Sequence, residues 1–174
     1  MTVAIRPAAL ADIPAIARIY AHSVMHGTAS FELEPPDEAE MARRMRDLTG
    51  KGFPYLVAEA GSELAGYAYA APYRTRPAYR FTVEDSVYIA PHSHRRGVGR
   101  ALLAALIDAC TERGFRQMIA VIGDSPRQAG SVGLHKAVGF HHVGIIEDVG
   151  FKHDHWCDSL LMQRALGSGA STKP

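Results

Sequence analysis

The 174-residue chain is poor in the features that mark specialised classes of protein. Two cysteines, Cys110 and Cys157, are too few for a disulfide framework and are not spaced as a zinc motif. Cys110 falls on the apolar stripe of an expected helix, where a thiol packs as a small hydrophobic group. No apolar run approaches the about 18 residues of a membrane span, and no secretory leader is read at the N-terminus. We therefore expect no membrane partner and a reducing, cytoplasmic setting. A formal net charge of only +1 provides no basic field for nucleic acid. There is no internal repeat and no low-complexity segment. What remains is an apolar fraction of 47% and a charged fraction of 21%, ordinary for a packed globular chain. This length suits one domain, expected over residues 1–166, followed by a flexible tail of small polar residues at 167–174.

Residues 2–6 read as an opening strand. Asp12 is placed to cap a helix with Ile13, Ile16, Ala17, Tyr20 and Val24 on one face. A second helix starts at Asp37, with Glu40 as capping-box partner, and stops near Gly50. Strands at 55–60 and 63–71 form a hairpin through Gly61-Ser62, and the Arg-, Pro- and Tyr-rich segment 72–80 is a loop. In the next strand, 81–90, regular alternation would put Glu84, Ser86 and Tyr88 on one face. The helix from about 98 carries Leu102, Leu103, Leu106, Ile107 and Cys110 and ends at Gly114. A strand at 117–122, a helix around 128–138, and strands at 141–147 and 157–164 follow. Hairpins mixed with two helical crossovers predict an α/β (α+β) fold whose mixed sheet has a parallel step in the middle.

Chemistry concentrates where the 81–90 strand runs into His94-Arg95-Arg96-Gly97-Val98-Gly99-Arg100 and opens a helix. Such a turn gathers backbone N–H groups at a positive helix end, and Gly97 and Gly99 permit close approach, so it suits a phosphate. It is neither a Walker A loop, which needs Lys-Ser/Thr where Arg100-Ala101 stands, nor a dinucleotide fingerprint, whose third Gly would replace Leu102. On the residues alone, a helix start with a solvated Arg pair reads equally well. Glu84 is a candidate base or a solvent-facing strand residue; His135 is a candidate acid–base group or a satisfied helix histidine. Arg74, Arg76 and Tyr79 form a basic loop that can clamp anions or simply be solvated. Nine histidines include His92-x-His94, His141-His142 and His153-x-His155, but no third ligand is indicated near any pair, and no metal is expected.

In its context, the turn resembles motif A of the GNAT acetyltransferase superfamily, with His94 where Gln or Arg is usual. The resemblance narrows to the phosphinothricin and methionine sulfoximine N-acetyltransferases. It rests on Thr28-Ala29-Ser30-Phe31-Glu32, Tyr67-Ala68-Tyr69-Ala70, Ala78-Tyr79-Arg80-Phe81-Thr82-Val83-Glu84, Ser86-Val87-Tyr88, Ala120-Val121-Ile122-Gly123, Leu134-His135-Lys136 and Val149-Gly150-Phe151-Lys152. It implies a GNAT-type, largely antiparallel mixed sheet of about seven strands with about four helices. It also implies acetyl-CoA as cosubstrate, held by Val87, Tyr88, Ile89, Arg95, Arg96, Gly97, Val98, Gly99, Arg100, Gln128, Ser131 and His135. Gln128 stands where the family often has Asn. Glu84 is implied as the base that frees the amine, and His135 as an assistant to the thiolate or the amine. The amino-acid substrate is expected against Phe31, Arg74, Thr75, Arg76, Tyr79, Glu84, Asp85, Ser86 and Tyr88. Arg76, where sulfoximine-type relatives carry an aromatic, points towards phosphinothricin. Subgroup members pair as homodimers, so one is expected here. The alternatives are acetylation of another amine (methionine sulfone, a polyamine, a protein N-terminus) or a non-catalytic acyl-CoA sensor.

Overall fold

Seven strands and four helices make up the computed structural model, which describes residues 3–174. In chain order they are β1 (Val3–Pro7), α1 (Ile13–His26), α2 (Glu38–Gly50), β2 (Tyr55–Ala60), β3 (Glu63–Pro72), β4 (Thr82–Ile89), α3 (Val98–Glu112), β5 (Gln117–Gly123), α4 (Ala129–Ala137), β6 (His141–Lys152) and β7 (His155–Ala165). The strands form one mixed sheet in the order β1-β2-β3-β4-β5-β7-β6. All neighbours are antiparallel except β4 and β5. That parallel step is the one joined by a long helix, α3, as the chain path requires. Residue 2 of the expected first strand lies outside the described residues.

Two cores sandwich the sheet. On one face, Leu102, Leu103 and Leu106 of α3 are fully buried with Val83, Met118 and Met162. At about 1.5–3 kcal/mol for each buried side chain, this stripe anchors α3 beneath β3 and β4. On the other face, Ile16, Tyr20 and Val24 of α1 and Met41 and Met45 of α2 cover Tyr55, Val57 and Tyr67. Helices α3 and α4 both end in Schellman caps: Phe115 N–H donates to Cys110 O, and Phe140 N–H to His135 O, around left-handed Gly114 and Gly139.

Three local expectations change. Asp12 stands at the start of α1 but makes no side-chain cap bond; its carboxylate accepts the Arg6 guanidinium at 2.8 Å and Ala9 N–H at 2.7 Å. An arginine fork simply outcompetes a helix N–H for that carboxylate. Asp37 does cap α2 through Glu40 N–H at 2.8 Å, but the Glu40 carboxylate turns to Arg43 and Arg44, so only half of the capping box forms. The last two strands are longer than the sequence suggested. Register shifts between His142 and Gly144 and between Ile146 and Gly150 carry β6 past the charged Glu147-Asp148 pair.

Residues 167–174 turn back over Arg116, which donates to Ser168, to Gly169 O and to Thr172. β6 is an edge strand whose Val143, Ile145, Ile146, Val149 and Phe151 are exposed, next to Trp156 of β7 at 62% exposure. No helix among the described residues is long and apolar enough to cross a membrane.

Candidate active site

A cleft opens where the sheet forks. β4 pairs with β3 without interruption from Pro72↔Val83 to Gly66↔Ile89. β5 likewise stays with β7 from Gln117↔Ala165 to Gly123↔Ser159. Between them, however, β4 and β5 pair only from Thr82↔Gln117 to Asp85↔Ala120. Beyond Asp85 each strand follows its own partner, and the main chain of 86–89 loses its neighbour on the β5 side. The resulting cleft, about 250 Å³, is walled by residues 84–88 and 120–123, closed by Ser131 and His135 of α4, and edged by Phe31 and Gln128.

The uninterrupted β3–β4 register keeps the alternation regular, so Glu84, Ser86 and Tyr88 share one face, as expected. Tyr88 packs against Tyr67 and edge-on to Tyr20, while Tyr69 forms a hydrogen bond with Ser86. This tyrosine layer leaves Glu84 half-buried, in the cleft, with no hydrogen bond or ion pair to a side chain among the described residues. Burial first, and the neighbouring Asp85 charge second, push its carboxyl above the usual glutamate value; Arg74 opposes them. A carboxyl shifted in that direction is a better proton acceptor.

Asp85, expected among the substrate contacts, borders the cleft, and its carboxylate also has a partner behind the wall. Alternation turns it to the opposite face, where its Oδ2 lies 3.0 Å from His135 Nε2. The other ring nitrogen, Nδ1, donates to Ser131 O at 2.8 Å. Sequence reading missed this pair, although a signal was there: an Asp between inward-facing Val83 and Val87 needs a buried partner.

The turn before α3 has the geometry of an anion cradle. Arg95 and Gly97 are left-handed, at φ 58° and 82°. The first helical donation is Ala101 N–H to Gly97 O, so the N–H groups of Val98, Gly99 and Arg100 lie at the open helix end. A Cβ on Gly99 would come within 3.1 Å of Leu134, so this glycine lets α4 close on α3. His94, in the place of a usual Gln or Arg, donates from Nε2 to Ile89 O at 3.1 Å and ties the turn to the end of β4. The side chains of Arg95, Arg96 and Arg100 are exposed.

Phe31 does wall the cleft, and the structure shows how it is held. A Cβ on Gly150 would lie 2.5 Å from its ring, and one on Gly123 2.6 Å, so the ring sits in a slot that only glycines leave open. The same loop is fastened by Lys152 Nζ, buried and donating to Ser30 O at 2.7 Å, and by Gln128 Nε2, donating to Thr28 Oγ1 at 3.3 Å. Burial lowers the Lys152 pKa. Gln128 therefore reaches the cleft rim, and its amide faces Thr28. The basic loop is not part of the cleft wall. Arg74, Thr75, Arg76 and Tyr79 are exposed on a surface excursion; Arg74 lies over the Tyr73 ring, near enough to Glu84 to lower its pKa.

The histidine pairs do not converge. Among the described residues, the three ligand-type side chains that do meet are Asp124, His155 and Cys157, within 4.8 Å. The Arg127 guanidinium lies on the His155 ring and pairs with Asp124, so a cation already belongs to this cluster.

Comparison with known proteins agrees with this geometry. Residues 5–161 match the acetyltransferase (GNAT) domain family. The chain is 55% identical over 163 residues to phosphinothricin N-acetyltransferase of Alcaligenes faecalis, covering 94% of this chain and 82% of that protein. It is 37% identical over 167 residues to L-methionine sulfoximine/L-methionine sulfone acetyltransferase of Pseudomonas aeruginosa, covering 95% and 96%. Among solved structures it superposes, with a TM-score of 0.97 and 49% identity over 100% of this chain and 94% of the other, on a GNAT superfamily phosphinothricin acetyltransferase from Sinorhizobium meliloti in complex with AcCoA. From the forked sheet, the glycine-bearing turn and the span of these matches, the chain belongs to the GNAT acetyltransferase family.

Proposed function

We propose that the protein moves the acetyl group of acetyl-CoA onto the amino group of an amino-acid-like substrate, with phosphinothricin the preferred acceptor. The observation that carries this reading is Glu84: a half-buried carboxylate, with no side-chain hydrogen bond among the described residues, in the fork between β4 and β5. An amine of pKa about 8–10 is mostly protonated at neutral pH, so a base beside it is needed. Glu84 accepts that proton, directly or through one water. The neutral nitrogen then attacks the thioester carbonyl, and main-chain N–H groups of 87–89 receive the developing oxyanion. The tetrahedral adduct collapses with loss of the coenzyme A thiolate. No acetyl-enzyme forms, because Cys110 and Cys157 are both buried away from the cleft wall. The cradle of 95–100 takes the coenzyme pyrophosphate, and residues 87–89, Gln128, Ser131 and His135 flank the pantetheine arm.

Arg74 and Arg76, with Thr75 and Tyr79, close over the open end of the cleft and pair with the carboxylate and phosphinate of the acceptor. Phe31 packs against its aliphatic chain. Similarity to a methionine sulfoximine/sulfone acetyltransferase supports those compounds as second acceptors. Residues 1–166 act as one catalytic domain, in a cytoplasm that keeps both thiols reduced. The apolar face of β6 and Trp156 is buried in a homodimer; an edge strand this apolar otherwise invites aggregation.

The test is release of free thiol from acetyl-CoA against a panel of amino acids, phosphinates, sulfoximines, sulfones and polyamines. Phosphinothricin should head the panel, and R74A and R76A should raise its KM while leaving that of acetyl-CoA alone. Coenzyme binding without thiol release for any amine would make the protein a sensor and overturn the reading.

A further inference from the structure

His135 is nearly sealed into the wall behind the cleft, its side chain 5% exposed and that of Asp85 2%. Both ring nitrogens face acceptors: Ser131 O at 2.8 Å and Asp85 Oδ2 at 3.0 Å. A main-chain carbonyl cannot donate, so Nδ1 carries a hydrogen. A carboxylate cannot donate either, so one more proton must lie between Nε2 and Oδ2. The imidazole is the stronger base of the two, and the proton belongs to it. Burial pulls the imidazolium towards the neutral form, but the hydrogen bond and charge of Asp85 and the Ser131 carbonyl carry its pKa above the usual histidine value. The Phe140 ring stands edge-on, 5.0 Å away, and closes another side. The other ionisable groups around the pair are Cys110 of α3, whose thiol burial pushes up to about 12, and Glu84 on the far face of β4.

The helix that carries His135 needs an anchor. α4 has nine residues, two of them glycine, and Gln128, just before its first residue, makes no side-chain cap bond. Glycine inside a helix is disfavoured relative to alanine, so intrinsic propensity leaves this helix weak. Its wall of the cleft depends on tertiary contacts, and the polar one runs from His135 across to β4.

We propose that Asp85 is a positioning residue for the transfer. It keeps His135 as an imidazolium whose two N–H groups are both engaged inside the wall, so the pair is a neutral strut between β4 and α4 and His135 does not protonate the departing thiolate. The transfer itself is the reaction proposed above; the protonation state of the ring is a property of the resting protein and is read without turnover.

The first measurement is therefore an imidazole-nitrogen NMR titration of ligand-free wild-type protein, with the resonance assigned by its loss in H135Q. Both His135 nitrogens should remain protonated past about pH 6.5, where an unperturbed histidine is already half neutral. A ring that turns neutral with a single N–H below that pH overturns the proposal. The second is a kinetic comparison of D85A and D85N. D85A leaves Nε2 without a partner and should raise the KM of acetyl-CoA by about tenfold, the size of one hydrogen bond to a charged group. D85N has the same shape, and its amide N–H can donate to a neutral Nε2, so it should recover most of that loss although the extra proton is gone from the NMR spectrum. A fall of about 100-fold in kcat for D85N, the scale of a lost general acid, would show that the proton is used in the reaction and overturn the strut. Wild-type kinetics in D85A would do the same for the positioning role.

Discussion

Glu84 and Asp85 are adjacent carboxylates on one strand, and their surroundings have little in common. Glu84 faces the tyrosine layer, keeps a route to solvent and has no protein partner among the described residues. Asp85 faces α3 and α4, is sealed in, and holds an imidazole at 3.0 Å. A period of two is enough to separate them: one residue along a strand is one face across the sheet. The comparison teaches that a group left for chemistry is recognised by what it lacks. Asp85 has a histidine on its Oδ2, although its buried Oδ1 has no hydrogen-bond partner among the described residues, whereas Glu84 is held in a site that favours its protonated form.

The sharpest way to break this division is to exchange the carboxylate for an amide. E84Q should lose about 10²–10⁴-fold in kcat/KM, the usual worth of a well-placed base. A smaller loss in thiol-release assays would remove Glu84 from the chemistry. D85A should do the opposite: it leaves a buried imidazole nitrogen without a partner and should lower the unfolding free energy by about 1–3 kcal/mol in urea titrations, while E84Q costs nothing. Equal destabilisation by both would erase the distinction between base and anchor.

A third variant touches neither carboxylate. G150A drives a methyl group into the Phe31 ring, where a Cβ would lie at 2.5 Å. The ring must leave its slot, raising the KM of the amine by about tenfold, roughly one apolar contact, with that of acetyl-CoA unchanged. If both constants move together, the slot belongs to the whole cleft and not to the acceptor side.

The smallest effect is in the pH dependence of stability. The folded pKa of Glu84 is raised, so the folded state binds this proton more tightly than the unfolded chain does. Its ionisation therefore costs stability as pH rises from the unfolded value, about 4.3, through the folded one. E84Q removes that cost and should be slightly more stable than wild type at neutral pH, by less than about 1 kcal/mol. His135 also has a raised folded pKa, and its contribution is complete below about 6.5 and fades as pH climbs past the folded value. Urea midpoints followed from acid to mildly alkaline pH should show E84Q losing the first slope and H135Q the second.

Much of the scaffold was legible because it is written in local periods. The hairpin at Gly61-Ser62, the Leu102-Leu103-Leu106 stripe and the face shared by Glu84, Ser86 and Tyr88 all follow from spacing. The phosphate turn was legible in Gly97 and Gly99, the resemblance favouring it over a plain helix start, and Gly97 is left-handed there. What escaped depends on distant partners. The fork is a property of where β4 and β5 stop pairing, and no residue in either strand announces it. The Asp85–His135 pair joins positions 50 residues apart. β6 was ended near 147, at the charged Glu147-Asp148 pair, which a bulged edge strand tolerates. Asp12 was assigned to a helix end by type, when Arg6 was the stronger suitor.

The fork has a consequence for handling the protein. Past Asp85↔Ala120, each of two central strands has a bare flank in the interior of the sheet, a place where most folds tolerate none. An elongated ligand threaded there serves as a surrogate strand. Supplying coenzyme at about 100 times its dissociation constant adds roughly 2.7 kcal/mol by mass action. Purified without it, the enzyme should melt earlier and clump more readily, so thermal shift with and without coenzyme is a direct gauge of how much of the sheet the cosubstrate completes.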